Sequence, residues 1–512
     1  MTNPTASRPD LSSRSGQGAV GLPLAGRAFH LIGVAGAGMS VVAQLLAAQG
    51  ARVSGSDANG GPALEALAAQ GLDVHVGHLA GQVPADAVVV VSSAIRPTNP
   101  ELEAARARGQ GVIHRSQALA LAARGRDFVA VAGAHGKTTT SGMLAEALIA
   151  TGQDPSFAIG GVVRALGTGA HMGAGRAFVA EADESDRSFL NYEPFLALVT
   201  NVEPDHLDTY GTVEAFEEAF VTFAGHVRPG GRLVVCVDDP GGRRLALAAA
   251  GRGTAVTTYG TGRPVQDLPG DEHVQLEVTE RRAEGTRARL TLWRRAAGPA
   301  PERYEPSGPA DLVLKVPGDH VALDAAGAWA AGLALGVEPA AMAQALGAFG
   351  GTGRRFEDRG EVAGVRVIDD YAHHPTEIQA LMRTSREVAG ARGGRVLVLF
   401  QPHLFSRTQA FADRFAQALG EADHVVLTAV YPARETQEQF PHVTGETISS
   451  RVPGGALYVA DRRAAAHSVA DAARRGDLVL TVGAGDVTQL ADVILARLAQ
   501  RQDGGGPGRE GA

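Results

Sequence analysis

The sequence predicts an α/β protein of stacked βα units on parallel sheets, divided into about three domains. Three observations carry this. Short apolar runs alternate with Ala/Leu-rich helical segments along most of the chain. One of these runs leads through a glycine loop containing a lysine straight into a helical segment. The 512 residues also exceed what a single hydrophobic core organises, and suggest roughly three domains of ~100 to 200 residues each.

Composition narrows the classes further. With 45% hydrophobic and 20% charged residues the chain reads as an ordinary soluble protein, neither disordered nor fibrous. Its apolar stretches, such as 87–91, fall far below the ~18 residues of a membrane span. Residues 1–26 mix Pro, Ser, Arg and Gly without the apolar block of a signal peptide and read as a loose tail. A net charge of -8 without long blocks argues against a nucleic-acid surface and makes small molecules the expected partners. A single cysteine, Cys236, excludes an internal disulfide and fits a reducing cytoplasm; inside the apolar run 233–237 it reads as a buried strand residue. Only two of the 47 basic residues are lysines, Lys137 and Lys315, so a lysine here points to a chemical need that the broad guanidinium fork cannot meet.

In chain order, residues 27–125 form the first expected domain. The run 28–33 ends in Gly33-Val34-Ala35-Gly36-Ala37-Gly38-Met39-Ser40, a strand, glycine turn and helix start, and the next strand-like run ends at Asp57. This is a Rossmann-like beginning that invites a dinucleotide reading, although its glycines depart from the G-x-G-x-x-G order. The run 88–91 follows, leading into Ser92-Ser93-Ala94-Ile95.

The second expected domain, 126–352, carries the sharpest signal. Gly133-Ala134-His135-Gly136-Lys137-Thr138-Thr139-Thr140 lies between the strand-like run 128–132 and the helical segment 141–150. Glycines let backbone N–H groups converge on a polyphosphate at a helix N-terminus, the lysine neutralises it, and the Thr138 hydroxyl offers a magnesium ligand. Two acidic segments follow strand-like runs. Glu181-Ala182-Asp183-Glu184-Ser185-Asp186 comes after 178–180, and Asn201-Val202-Glu203-Pro204-Asp205-His206-Leu207-Asp208 after 196–200. By residue type alone the first is either a metal-reaching strand end or a solvated acidic loop, and His206 either a ligand or a hydrogen-bonded loop histidine. Between 260 and 308 the pattern changes to strand-like pieces at 274–278 and 288–292, a β excursion inside this domain.

The third expected domain, 353–500, repeats the alternation with runs at 365–368, 395–400 and 478–482, and residues 501–512 read as a second disordered tail. Three polar segments stand at strand ends: Asp369-Asp370-Tyr371-Ala372-His373-His374-Pro375-Thr376, Gln401-Pro402-His403 through Arg407, and Tyr431-Pro432-Ala433-Arg434-Glu435. Adjacent histidines point apart, so His373 and His374 suggest loop contacts rather than a metal.

These segments together resemble the Mur ligase family, in which a shortened Gly-x-x-Gly-Lys-Thr loop, a strand-end glutamate and a downstream histidine occur in this order. The resemblance covers nearly the whole chain, and residues 181–190, EADESDRSFL, look like the alanine-adding branch rather than the tripeptide-recycling one. The absence of a lysine placed for carbamylation favours the same branch. The resemblance implies a three-domain architecture: a Rossmann-like N-terminal domain, a central P-loop ATPase-like domain with a parallel sheet, and a Rossmann-like C-terminal domain. It implies an ATP- and Mg2+-dependent cytoplasmic ligase of UDP-N-acetylmuramate and L-alanine, working as a monomer or weak homodimer.

Residue by residue, the resemblance implies that Gly133, Ala134, His135, Gly136, Lys137, Thr138 and Thr139 bind ATP, with His320 and Arg354 joining them. Thr138, Glu181 and His206 would hold magnesium. Gly36, Gly38, Met39, Ser40, Asp57, Ser92, Ser93, Ala94 and Ile95 would line the UDP pocket, with Asn99 and Arg115 as further candidates. Tyr371, His373, His403 and Arg407 would position the muramoyl carboxylate and alanine, and Lys137, Glu181, His206, His373 and Arg407 make up the expected catalytic set. Two departures stand out. Val321 and Asp324 replace asparagines usual after the histidine of Gly318-Asp319-His320, and Leu404-Phe405 replaces the usual Arg and Tyr. The rival readings are a tripeptide-recycling ligase, a nucleotide-binding protein without activity and a dinucleotide oxidoreductase.

Overall fold

The computed structural model describes residues 24–265, 267–296 and 304–503. Most of the two expected tails, 1–26 and 501–512, lies outside them. Leu24, assigned to the first tail, is instead 5% exposed in the apolar core.

Three sheets organise the chain. The first contains β1 (Ala28–Ile32), β2 (Arg52–Asp57), β3 (Asp73–Val76), β4 (Val88–Val91) and β5 (Val112–His114) in the order β3-β2-β1-β4-β5, with every pair parallel. The order reverses between β1 and β4. In a doubly wound sheet this opens a crevice at the carboxyl ends of those two strands.

The second sheet holds β6 (Asp127–Ala132), β7 (Ser156–Val163), β8 (Thr168–His171), β9 (Ala177–Glu181), β10 (Leu196–Val199), β11 (Arg232–Cys236), β12 (Ala255–Gly260), β13 (Glu272–Arg282), β14 (Gly285–Arg295) and β15 (Tyr304–Leu314). Their order is β15-β14-β13-β12-β11-β10-β6-β9-β7-β8. β6 is flanked by β10 and β9, both parallel to it. It reads as a continuous apolar run because helices cover both faces of a parallel sheet. The β excursion read from the sequence is the three long strands β13, β14 and β15.

The third sheet comprises β16 (Glu357–Val362), β17 (Val365–Asp370), β18 (Val396–Phe400), β19 (His424–Leu427), β20 (Leu457–Tyr458) and β21 (Leu478–Val482), ordered β16-β17-β21-β18-β19-β20. It is parallel apart from the edge strand β16. Separate apolar clusters, one around Ile378 and Phe415 and one around Val469 and Ile494, accompany it.

The described residues form two compact units whose pieces alternate at Glu277/Val278, Arg287/Ala288, Val313/Leu314, Val321/Ala322 and Gly350/Gly351. One apolar cluster in the first unit runs from Phe29 in β1 through Phe178 in β9 to Val256 in β12. The first two sheets therefore share a core, where the sequence suggested two separate domains. No helix among the described residues is long and apolar enough to cross a membrane.

Candidate active site

In the first unit, β6 delivers its glycine loop to the N-terminus of the helix Lys137–Ala150. Gly133 has φ +131°, and a Cβ there would lie 2.1 Å from Thr200 Oγ1. Gly136 has φ +80°, and its Cβ would lie 2.4 Å from a carboxylate oxygen of Asp324. Both positions favour glycine: φ is positive at each, and a Cβ would meet Thr200 and the Asn201 backbone at 133 and the Asp324 carboxylate at 136. The loop is fastened from β10's end: the His135 amide donates to Asn201 Oδ1 at 3.1 Å, and Asn201 Nδ2 donates to the His135 carbonyl at 3.0 Å.

Lys137 Nζ donates to both oxygens of Glu184, at 3.0 and 2.8 Å, and to the Gly133 carbonyl at 2.6 Å. Burial opposes the ammonium's charge, but the carboxylates of Glu184 and Asp183 outweigh it and raise its pKa. Burial pushes the Glu184 carboxyl up to about 7 despite that lysine. Thr138 Oγ1 donates to Glu181 Oε2 at 3.1 Å, and the Gly160 amide donates to Glu181 Oε1 at 2.8 Å. A hydroxyl and a carboxylate are thus held side by side at the strand end, an oxygen pair suited to a hard divalent cation. His206, at φ +52°, places Nε2 3.5 Å from Asp205 Oδ2 and 3.8 Å from Glu184 Oε1. It borders the same acidic group from β10's side. Thr139 is 8% exposed on the helix.

A cavity of about 430 Å³ opens at the switch point of the first sheet, lined among others by Gly33, Asp57, His78, Ala94, Ile95 and Asn99. Asp57 Oδ2 accepts the Ala35 amide at 3.1 Å and steadies the turn, while Asn99 caps the helix Pro100–Ala107. The expected lining needs correction in part. Met39 is 3% exposed and belongs to the apolar core, because the first turn of the helix Ala37–Ala48 points it inward. Of the expected stretch Ser92-Ser93-Ala94-Ile95, Ala94 and Ile95 border the cavity, while Ser93 donates to Asp186 at 2.9 Å. Gly36 precedes that helix as its N-cap, and the Ser40 hydroxyl donates to the Ala37 carbonyl. Arg115 reaches Asp183 at 2.5 Å.

In the second unit the three polar segments stand at the carboxyl ends of β17, β18 and β19. His373 Nδ1 lies 3.1 Å from the Tyr371 carbonyl and 3.3 Å from Glu377. Its ring meets Tyr371 and His403 edge-on, and His403 stacks on Tyr431. Arg354 and Arg355 both lie over the Tyr371 ring, at 4.8 and 4.7 Å. Arg354 also donates to the Gly483 and Gly485 carbonyls. Arg407 is 6% exposed. Adjacent His374 turns away, fully buried, and caps the helix Pro375–Ala391. His320 stands exposed in this unit, beside Gly318.

Three family models match in sequence along the chain: "Mur ligase family, catalytic domain" at 28–127, "Mur ligase middle domain" at 131–331, and "Mur ligase, glutamate ligase domain" at 354–485. A relative from Kineococcus radiotolerans, named UDP-N-acetylmuramate--L-alanine ligase, is 48% identical over 98% of this chain and 100% of its own length. The chain belongs to the Mur ligase family. Among solved structures, the alanine ligase MurC of Thermotoga maritima matches with a TM-score of 0.71 at 26% identity, covering 93% of this chain and 99% of that one. A murein peptide ligase from Psychrobacter arcticus matches at 0.67 and 25%, with the same coverage. This Mur ligase thus carries the three-part α/β architecture of its relatives.

Sequence reasoning passed over several groups that contact the expected residues within each unit. Glu184 was read only as one member of an acidic run. Thr200, Gly160 and the proximity of Asp324 to Gly136 left no local signal, because each contact joins residues far apart in the chain. Arg355 was visible beside Arg354 but carried no motif of its own.

Proposed function

We propose that this chain joins L-alanine to UDP-N-acetylmuramate at the expense of ATP, through an acyl-phosphate intermediate that serves peptidoglycan precursor synthesis. The observation that carries the reading is the opening of the helix Lys137–Ala150, where an ammonium and a hydroxyl stand beside Glu184 and Glu181 at a strand end. The 48% identity to an alanine ligase over nearly the whole chain supports the choice of substrates. Cytoplasmic residence belongs to the same reading.

A carboxylate does not acylate an amine in water, so one carboxylate oxygen must first become a leaving group. It attacks the γ-phosphorus of ATP, ADP departs, and the resulting acyl phosphate is open to the alanine amine, which expels phosphate. Such transfer depends mainly on in-line placement and charge neutralisation. Lys137 supplies a compact positive charge at the phosphates, and the helix N-terminus supplies converging N–H groups. Thr138 and Glu181 would hold Mg2+, with His206 at the border of the same group; the ion would draw charge from the transferring phosphoryl oxygens.

The alanine amine must lose a proton, and His373 suits that task. A carbonyl only accepts, so the bond to Tyr371 O assigns the proton to Nδ1 and makes Nε2 the basic nitrogen. Tyr371, His403 and Arg407 would position the acid and the acceptor, and His320 and Arg354 would complete the nucleotide site.

The test is phosphate release from ATP with magnesium and UDP-N-acetylmuramate, comparing alanine with the tripeptide as acceptor. Alanine should support turnover and the tripeptide should not. Lys137→Ala should lower kcat/KM by about 10²- to 10⁴-fold with the far-UV spectrum unchanged. An active Lys137→Ala enzyme would sink the reading.

A further inference from the structure

We propose that the strand-end segment 181–188 couples the two ligand sites of the first unit, with Asp183 and Asp186 as positioning residues that make sugar-nucleotide binding and ATP binding reinforce each other. The inference rests on the function proposed above, but it concerns residues to which that function assigns no role.

The segment has two faces. Glu181 and Glu184, three residues apart, face the phosphate loop through Thr138 and Lys137. Asp183 and Asp186, also three apart, face the first sheet. Asp183 pairs with Arg115 at 2.5 Å and accepts the Ser185 amide at 3.0 Å. Asp186 accepts the Ser93 hydroxyl at 2.9 Å and lies 3.5 Å from His114 Nε2. Asn191, just beyond, donates to the Ser116 hydroxyl at 2.8 Å.

The partners of this second face belong to the cavity's own framework. Ser93 directly precedes Ala94 and Ile95, which line the cavity. Arg115 Nη1 lies 3.0 Å from where a Gly38 Cβ would be, and so sits over the glycine turn that opens the helix Ala37–Ala48. A phosphate group is drawn to such a turn by the helix N-terminus. A guanidinium has five N–H donors and serves a phosphate and Asp183 at once. A sugar nucleotide in the cavity would therefore fix Ser93 and Arg115, and through them the backbone that holds Glu181 and Glu184 in place. The ordering cost is met once for both ligands, which is positive coupling.

The experiment measures the Kd of a non-hydrolysable ATP analogue with magnesium on the full chain, by titration calorimetry, without and with saturating UDP-N-acetylmuramate. The native protein should bind the analogue about fivefold or more tightly in the presence of the sugar nucleotide. Asp183→Asn should bring that ratio below about twofold, while a loss of packing alone would weaken both measurements and leave the ratio standing. Ser93→Ala alters only an exposed hydroxyl and should lower the ratio partway, which keeps the test decisive if Asp183→Asn does not fold. A native ratio of one, or an undiminished ratio in a folded variant, overturns the coupling. Failure of UDP-N-acetylmuramate to bind at all would instead overturn the proposed function, and the coupling with it.

Discussion

Asp370, the last residue of β17, shows what burial does to a single carboxyl. It is 8% exposed, and burial raises its pKa from 3.8 to about 6 in spite of Arg355 and the amides of Phe356 and Ala372. Because the folded value lies above the unfolded one, its favourable contribution is complete below pH 3.8 and fades as pH rises through 6. A carboxyl raised this far corresponds to roughly 3 kcal/mol, an upper figure for this one group. Urea unfolding between pH 4 and 8 should show a stability loss in the native protein that Asp370→Asn flattens. Glu184 shows the same balance, since burial raises its carboxyl to about 7, whereas at its partner Lys137 the neighbouring carboxylates outweigh burial. The rarity of lysine made Lys137 conspicuous in the sequence. Its partner Glu184 was one acid among several, and only the fold distinguishes it from Asp183.

At the scale of elements, the site is made by strand ends and the turns that leave them. β6, β9 and β10 end next to one another, so the phosphate loop, Glu181 and His206 converge although Lys137 and His206 stand 69 positions apart in the chain. Three of the non-glycine residues with positive φ, His206, Leu404 and Ala433, lie in the polar segments that leave strand ends in the two units. Strained backbone kept at strand ends is what positioned side chains require. Gly136→Ala should therefore be costly: φ +80° disfavours a side chain, and Asp324 occupies its space. We expect at least a tenfold loss of nucleotide affinity by calorimetry, with most of the secondary structure retained. Wild-type affinity in that variant would mean that the loop tolerates a different path.

For the whole molecule, the phosphate loop, Glu181 and the first-sheet cavity all belong to the first unit, whereas Tyr371, His373, His403 and Arg407 belong to the second. ATP analogue and magnesium at about 100 times Kd should add about 2.7 kcal/mol to the stability of whatever binds them. Calorimetric scans should show that gain in the transition of the first unit, and EDTA should abolish the gain without lowering the ligand-free transition. Thr138, Glu181 and Gly160 already hold one another through hydrogen bonds, so the ion is not needed to fold them. The alternation of apolar runs, the glycine loop and the three strand-end segments were legible from the chain alone, since each depends on neighbours within about ten residues. They fixed the fold class, the phosphate loop and the family resemblance. The burial of Met39, the tie between Arg115 and Asp183, the turning of Ser93 towards Asp186 and the core common to the first two sheets were settled only by tertiary structure. Each joins residues tens of positions apart, and which of several like side chains meets its partner depends on how the strands are ordered in the sheet, a choice that local composition does not encode.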